Sequence, residues 1–449
     1  MSSNITILNP SHFSDPEVVA MLLAFYSRST KPIQERLNEL IENGKEHEQS
    51  IKESLKKYYL GYGHKSIADC GNAVVFLEGI SILAAKAFEA SNLFNGQETS
   101  SRYIDFSSAE VVDPLSNVLS GDILQSWISF YHSIQEPIKE FLRKENQRKE
   151  NQNEEIYENA IKAKAFDITR SLLPCGIKTQ MGLSMTFSSL NEHLLYLINH
   201  PLDEVKNIAA KTFEGLEKQF SSSFKPFSPL SSLYVQNVAE KQFNLVYTPP
   251  YARELTIKDS IDKGVFDKEY AIFKNRPKNV PLPSFLSSYG TMTIEFSLDY
   301  GSWRDLQRHR NTLSNRCSSV SFLSSFSREY FSFLPHDLGN KIIDFVIDQY
   351  EKLFLLGKNL NSQEKINVLQ YYYPLGNLVN CELIVTLPQL FYILELRSSK
   401  SVHFTLRNLI HSIWDKIKVK YGIIENYIDE EKSEFFFARG KQTIMQKGW

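Results

Sequence analysis

The segment Thr291-Met-Thr-Ile-Glu-Phe-Ser-Leu298 leads, a short way on, to Asp305-Leu-Gln-Arg-His-Arg-Asn-Thr-Leu-Ser-Asn315. In the first run Met292, Ile294, Phe296 and Leu298 alternate with polar residues, the period of a half-buried strand. In the second, Arg308, His309 and Arg310 set three cationic or protonatable side chains side by side. Such clustering is costly unless an anion or a dense set of acceptors meets it, and the rigid donor fork of arginine suits phosphate and carboxylate. A strand delivering a basic segment to a helix reads as an anion site; the plain alternative is a solvated basic helix end.

The chain has 449 residues, enough for two or three domains with a core in each. Its formal charge of -2 argues against a general nucleic-acid binder. No apolar run reaches the roughly 18 residues needed to span a bilayer. Met1-Ser-Ser-Asn-Ile-Thr lacks the basic and apolar regions of a signal peptide, so a cytoplasmic location without membrane attachment is expected. The four cysteines (Cys70, Cys175, Cys317, Cys381) form no C-x-x-C pair. Buried thiols in a reducing cytosol fit better than a disulfide frame or a zinc site. No His, Cys or carboxylate cluster has metal-ligand spacing, so no metal is expected.

Taken in order, residues 14–60 read as helical, up to the break at Gly61, Gly63 and the polar Gly63-His64-Lys65-Ser66. Asn72-Ala-Val-Val-Phe-Leu-Glu78 is apolar enough for a buried strand, and Gly79 to Phe94 is alanine-rich and helical. Residues 120–165 read as helices interrupted by the charged run from Lys144 to Glu155, a solvated hairpin or loop. Ala165 to Phe213 reads as two more helical runs broken at Pro174, Gly176 and Pro201. The Ser- and Pro-rich stretch from Phe224 to Ser232 marks a boundary between halves. Prolines 249, 250, 277, 281 and 283 punctuate a stretch where regular structure is hard to place, and helical runs then occupy roughly 337–372 and 400–420.

The order strand, helix, polar Ser/Arg-rich segment occurs twice, as in a diverged internal repeat. An offset of 218 lays Arg308 over Ala90, Ser318 over Ser100 and Val320 over Arg102. An offset of 200 lays Gln370 over Arg170, Pro374 over Pro174 and Arg397 over Leu197. The mismatches are sorted: the first copy keeps Arg102 and Arg170, the second Arg308 and Arg397. If two copies pack about a twofold axis, one symmetric site draws all four arginines and the other none.

These residues resemble the flavin-dependent thymidylate synthase family, whose signature runs RHRxxSxNExSxRY after a GHxSxxEH-like segment. The second half supplies Arg308, His309, Arg310, Asn315 and Ser318; it departs at Leu313, Arg316, Val320 and Ser321. The first half supplies Glu98, Ser100, Arg102 and Tyr103, together with Gly63-His64-x-Ser66, Asp69 standing for the Glu and Cys70 for the second His.

The resemblance implies an α+β fold of two tandem domains of that family, residues 1–225 and 226–449. Each would be an antiparallel sheet flanked by long helices, the pair forming a pseudo-dimer, and two chains as a homodimer would rebuild a four-domain assembly. It implies methylation of deoxyuridine monophosphate (dUMP to dTMP, nucleotide biosynthesis) with methylenetetrahydrofolate and NADPH as co-substrates and FAD as cofactor, at one composite site per chain. Arg308, Ser100 and Arg397 would be catalytic. Glu98, Ser100, Arg102, Arg170, Arg308 and Arg397 would bind substrate: Arg102, Arg170 and Ser100 at the phosphate, Arg308 and Arg397 at the uracil, Glu98 aligning the arginines. His64, Ser66, Asp69, His309, Arg310 and Asn315 would bind the flavin. His403, near Arg397, reads as a helix-surface histidine or as a further contact, and Tyr103 as a core aromatic. Asp305, where the family offers a glutamine, would repel a phosphate unless Arg304 or Arg308 pairs with it. The alternatives are a flavin enzyme acting on another pyrimidine nucleotide, or a catalytically degenerate nucleotide-binding or scaffold paralogue.

Overall fold

The computed structural model describes residues 15–27, 65–227, 230–245, 253–321, 325–421, 427–430 and 437–441, with scattered positions between 29 and 53. The chain divides into two compact units interleaved in sequence. One comprises Met1–Leu77, Leu93–Gln97 and Met181–Gln242; the other comprises Glu78–Asn92, Glu98–Gln180 and Phe243–Trp449.

Seven strands are described: β1 (Asn72–Ser81), β2 (Gly96–Glu98), β3 (Lys178–Thr186), β4 (Thr256–Asp259), β5 (Thr291–Asp299), β6 (Ser314–Cys317) and β7 (Leu378–Thr386). They form a three-stranded sheet of order β1-β3-β2 and a four-stranded sheet of order β4-β5-β7-β6. The fold is α+β, as expected. β5 pairs antiparallel with β7 over its whole length, Thr291 opposite Thr386 and Phe296 opposite Cys381. The alternation read in the sequence is the pleat: Met292, Ile294, Phe296 and Leu298 are buried. Opposite them Val379, Cys381, Leu383 and Val385 are buried too.

The strand β1 is not the buried strand expected, since Val74 and Phe76 are exposed, and two further expectations need correction. The 165–213 stretch holds a strand, β3, between its helices, with Thr179, Met181, Leu183 and Met185 buried in strict alternation. The Pro-punctuated stretch holds β4, which pairs antiparallel with β5 from Thr256 opposite Glu295 to Asp259 opposite Met292.

Paired elements keep the two offsets. The helix Ile82–Phe88 follows β1 and the helix Tyr300–Gln307 follows β5; their first residues are 218 apart. Ser81 caps the first of these helices, accepting from Ala84 N at 3.0 Å, and Asp299 caps the second, accepting from Ser302 N at 2.8 Å. β3 and the helix Phe187–Leu197, like β7 and the helix Leu387–Arg397, occupy positions 200 apart.

In the smaller unit, Phe187 packs against Phe220 and Phe224, and Phe213 against Phe224. Buried Glu17, on the helix Pro16–Tyr26, accepts from Ser223 Oγ at 2.6 Å. In the larger unit, the helices Val118–Glu145 and Glu154–Thr169 are joined by an exposed charged turn, matching the solvated break read at Lys144–Glu155. Of the cysteines, Cys175, Cys317 and Cys381 are buried and Cys70 is half-buried. Among the described residues no helix is long and apolar enough to cross a membrane.

Candidate functional site

Arg308 follows the helix Tyr300–Gln307 as its C-cap. The basic triplet thus trails a helix rather than leading into one, where the helix dipole favours cations. The freed Leu306 carbonyl accepts from His309 N at 3.0 Å and from Asn315 Nδ2 at 2.9 Å. Asn315 is spent on this cap through its amide nitrogen, while its buried Oδ1 has no hydrogen-bond partner among the described residues. Arg308 is exposed, His309 is buried and Arg310 is half-buried.

Asp305, one turn back on that helix, is where the arginines meet. Burial by itself would raise its pKa; the charges of Arg170, Arg102, Arg397 and Arg308 reverse that and hold it well below the usual carboxylate range. Arg170 faces Asp305 Oδ2 at 3.4 Å through Nη1 and donates to Ser302 Oγ at 2.8 Å through Nη2. Arg397 donates to the Asp305 carbonyl at 2.7 Å and, through Nε, to His309 Nε2 at 2.7 Å. Arg170 faces the carboxylate itself and Arg397 the backbone carbonyl, while Arg102 and Arg308 act on Asp305 through their charges. The partner of Asp305 is Arg170 rather than Arg304 or Arg308.

A second carboxylate, this one buried, lies beside this group. Asp167 takes a two-pronged donation from Arg102 at 2.7 and 3.0 Å and another from Arg439 on both carboxylate oxygens. Arg102 also donates to Ser401 O at 3.0 Å, and Arg439 to Arg102 O at 3.3 Å. His403, expected at a helix surface, is fully buried. Its Nε2 sits 2.9 Å from the Asp167 carbonyl, which can only accept. Nδ1 is therefore the acceptor facing Ser302 Oγ at 3.1 Å and Thr405 Oγ1 at 2.9 Å. Burial, then the neighbouring Arg170 charge, keeps its pKa well below the ordinary value, so this imidazole is neutral.

Glu98 does not align the four arginines. Fully buried, it pairs with Arg304 at 2.6 Å and with Lys86 at 2.9 Å, and Lys86 also pairs with Glu89. Lys86 and Arg304 stand 218 positions apart and grip the same carboxylate. Ser100, half-buried, accepts from Arg102 N at 3.3 Å. Tyr103 is half-buried, with the Arg439 guanidinium 5.2 Å from its ring centre, and is not a core aromatic.

The residues expected at another part of the flavin belong to the smaller unit. His64 lies outside the described residues. Ser66 is exposed on the short helix Lys65–Ala68, and Asp69, also exposed, accepts a hydrogen bond from Ser188 Oγ. Asp167, Ser302 and Arg439 were missed in the sequence. Asp167 stands one helical turn before Arg170 and could have been noticed for that spacing; nothing near Arg439 marks it.

In the larger unit Arg308 and Arg397 open onto a cavity of about 760 Å³, together with His309, Tyr392, Tyr427 and Arg276. Arg276 is paired with Glu395 at 2.6 Å and lies 4.3 Å from the Tyr427 ring centre. At Val320 and Gln370, the positions matching Arg102 and Arg170, the side chains are uncharged; Val320 N donates to Gln370 Oε1 at 3.3 Å. Leu197, matching Arg397, is buried.

Among curated proteins, a UPF0159 protein of Thermoplasma acidophilum is 21% identical over 477 aligned positions, covering 88% of this chain and 92% of that protein. UPF0159 proteins of Chlamydia pneumoniae and Chlamydia muridarum are each 23% identical over 310 and 304 positions. They cover 57% and 56% of this chain, and 58% of each relative. Residues 10–220, which include Glu98, Ser100, Arg102 and Arg170, match the family model described as thymidylate synthase complementing protein. Over that segment the chain is similar to the thymidylate synthase complementing protein family.

Proposed function

We propose that this chain is a flavin-dependent, thymidylate synthase-type methyltransferase with one composite site, converting deoxyuridine monophosphate with methylenetetrahydrofolate and NADPH. The match of residues 10–220 to the thymidylate synthase complementing protein model makes a thymidylate synthase-related function the coarse reading. The observation that carries the finer one is the convergence of Arg102, Arg170, Arg308 and Arg397 on Asp305. Four guanidiniums from distant stretches are costly to gather unless the site handles anions.

The residues fit a flavin and a nucleotide. The cavity beside Arg308 and Arg397 falls within the roughly 300–1,000 Å³ of small-molecule sites. It offers cationic donors, the aromatic edges of Tyr392 and Tyr427, and a neutral histidine. FAD, when bound, would supply the hydride that reduces the transferred carbon. His309, Arg310 and Asn315 are assigned to its side of the site. Arg308 and Arg397 face the cavity and would meet the ligand's anionic groups from that side. Arg102 and Arg170, braced by Asp167, Ser302 and Asp305, stiffen the wall from which the other two project.

The duplication belongs to the same proposal. Its support is a set of reciprocal backbone bonds: Cys175 N to Tyr373 O and Leu375 N to Leu173 O, both 2.8 Å, with Gly176 N to Tyr371 O and Gly376 N to Ser171 O at 2.7 and 2.8 Å. Each bond maps onto its partner when the two copies exchange places. Residues 1–225 and 226–449 are then the two modules, and two chains would assemble as a homodimer.

The test is the flavin content of the purified protein and tritium release from the 5-position of deoxyuridine monophosphate with folate and NADPH present. One FAD per chain with tritium release is the expected result. A chain that neither carries nor takes up FAD ends the proposal. FAD binding without tritium release moves the reading to another pyrimidine nucleotide.

A further inference from the structure

The charges around Asp305 are unequally spent. Asp167 neutralises one charge between Arg102 and Arg439, and Asp305 faces Arg170 directly. Arg170 is fully buried, with Nη2 on Ser302 and Nη1 towards Asp305. Arg102 has Nε and Nη2 on Asp167, and Nη2 also on Ser401. These two arginines have their donors largely committed inside the protein. Arg397 has no carboxylate of its own: it touches neutral His309 and a backbone carbonyl. Arg308 is exposed and makes no side-chain hydrogen bond among the described residues. Both line the cavity.

We propose that Asp305 is the specificity-determining residue of this site: its carboxylate satisfies Arg170 in place of a ligand anion. The phosphate or pyrophosphate of the ligand is consequently held on the cavity side by Arg308 and Arg397. The inference rests on the reading of the site as one for phosphorylated ligands. Its chemistry is simple charge matching. A dianion in contact with Asp305 would meet repulsion at short range, whereas at Arg308 and Arg397 it meets two cations that no carboxylate contacts directly.

The test uses the full-length chain and inorganic pyrophosphate as probe, followed by titration calorimetry, with circular dichroism confirming the fold of each variant. Arg308→Gln should weaken pyrophosphate binding about 10-fold or more, the loss of one charge-assisted contact. Arg308→Lys should restore most of it. Asp305→Asn removes the competing charge but leaves an acceptor for Arg170, and should tighten binding several-fold. Unchanged binding in Arg308→Gln, or unchanged or weaker binding in Asp305→Asn, overturns the proposal. Comparing deoxyuridine monophosphate with deoxyuridine, and FAD with riboflavin, shows whose phosphate is held: the pair whose phosphate advantage falls in Arg308→Gln is the source. Pyrophosphate binding that follows these rules without FAD or nucleotide binding would keep this inference and end the functional reading above.

Discussion

Pro174 and Pro374 face each other in an isolated antiparallel bridge. The two prolines stand 200 positions apart in one polypeptide. The bridge sets two turns back to back and leaves no room beside them.

The glycines of those turns carry the first prediction. A Cβ on Gly176 would lie 2.8 Å from Val112 O and 2.9 Å from Tyr371 O, both backbone atoms. On Gly376 it would meet the Phe326 ring at 2.6 Å and Ser171 Cβ at 2.9 Å. Gly176→Ala and Gly376→Ala should each lower stability by roughly 1–3 kcal/mol, as overpacking does. Urea unfolding measures it, and a variant as stable as the parent would show that the junction yields freely.

Asp167 carries the second. Burial alone would raise its pKa, but Arg102 and Arg439 overturn that and hold it well below the usual carboxylate range. A depressed carboxylate stabilises the fold above its unfolded pKa, about 3.9, and the contribution fades as pH falls through the folded value. Asp167→Asn should cost about 3–5 kcal/mol at neutral pH, because two buried guanidiniums lose their counter-charge. The deficit should shrink below about pH 4. Stability curves of both proteins against pH test this; a deficit constant from pH 7 to 2.5 would argue against a charge effect.

How much of this was legible beforehand depends on the range of the interaction. The alternation of Met292 to Leu298 announced β5 because strand period is local. Arg102 and Arg170 stand in the first half and Arg308 and Arg397 in the second, and the charges of all four act on Asp305. β3 was overlooked between two helices, although Thr179, Met181, Leu183 and Met185 alternate as clearly as β5 does; Gly182 and short polar residues diluted the signal. Arg439 was invisible, since its partner Asp167 lies 272 positions away and no period links them. The roles of Asp305 and Glu98 were misjudged for the same reason: which cation a carboxylate meets is settled by tertiary packing.

Glu98 offers a third test. Burial opposes its ionisation, yet Arg304 and Lys86 together lower its pKa to about 2. Glu98→Gln should lose about 3–5 kcal/mol, since two buried cations are left with less counter-charge. Adding Lys86→Met removes one of those cations, so the double variant should be more stable than the sum of the single losses allows. Additive losses in thermal or urea unfolding would mean that the three side chains do not act as one network.

His309 provides the last. Arg397 Nε donates to its Nε2, so that nitrogen holds a lone pair and the ring proton sits on Nδ1. Burial first, and the Arg397 charge second, lower its pKa to about 3. The folded chain keeps this ring neutral where the unfolded chain, with a pKa of about 6.5, takes up a proton. Its contribution to stability is complete above about pH 6.5 and declines as pH falls towards 3. His309→Gln keeps an acceptor for Arg397 but cannot be protonated. Relative to the parent, the variant should gain stability as pH drops, by up to about 1.4 kcal/mol per pH unit between 6 and 4. Urea unfolding of the two proteins at pH 7, 5.5 and 4.5 gives the comparison. A stability difference that does not change with pH would mean His309 is protonated in the fold, and the Arg397 contact could not then be as described.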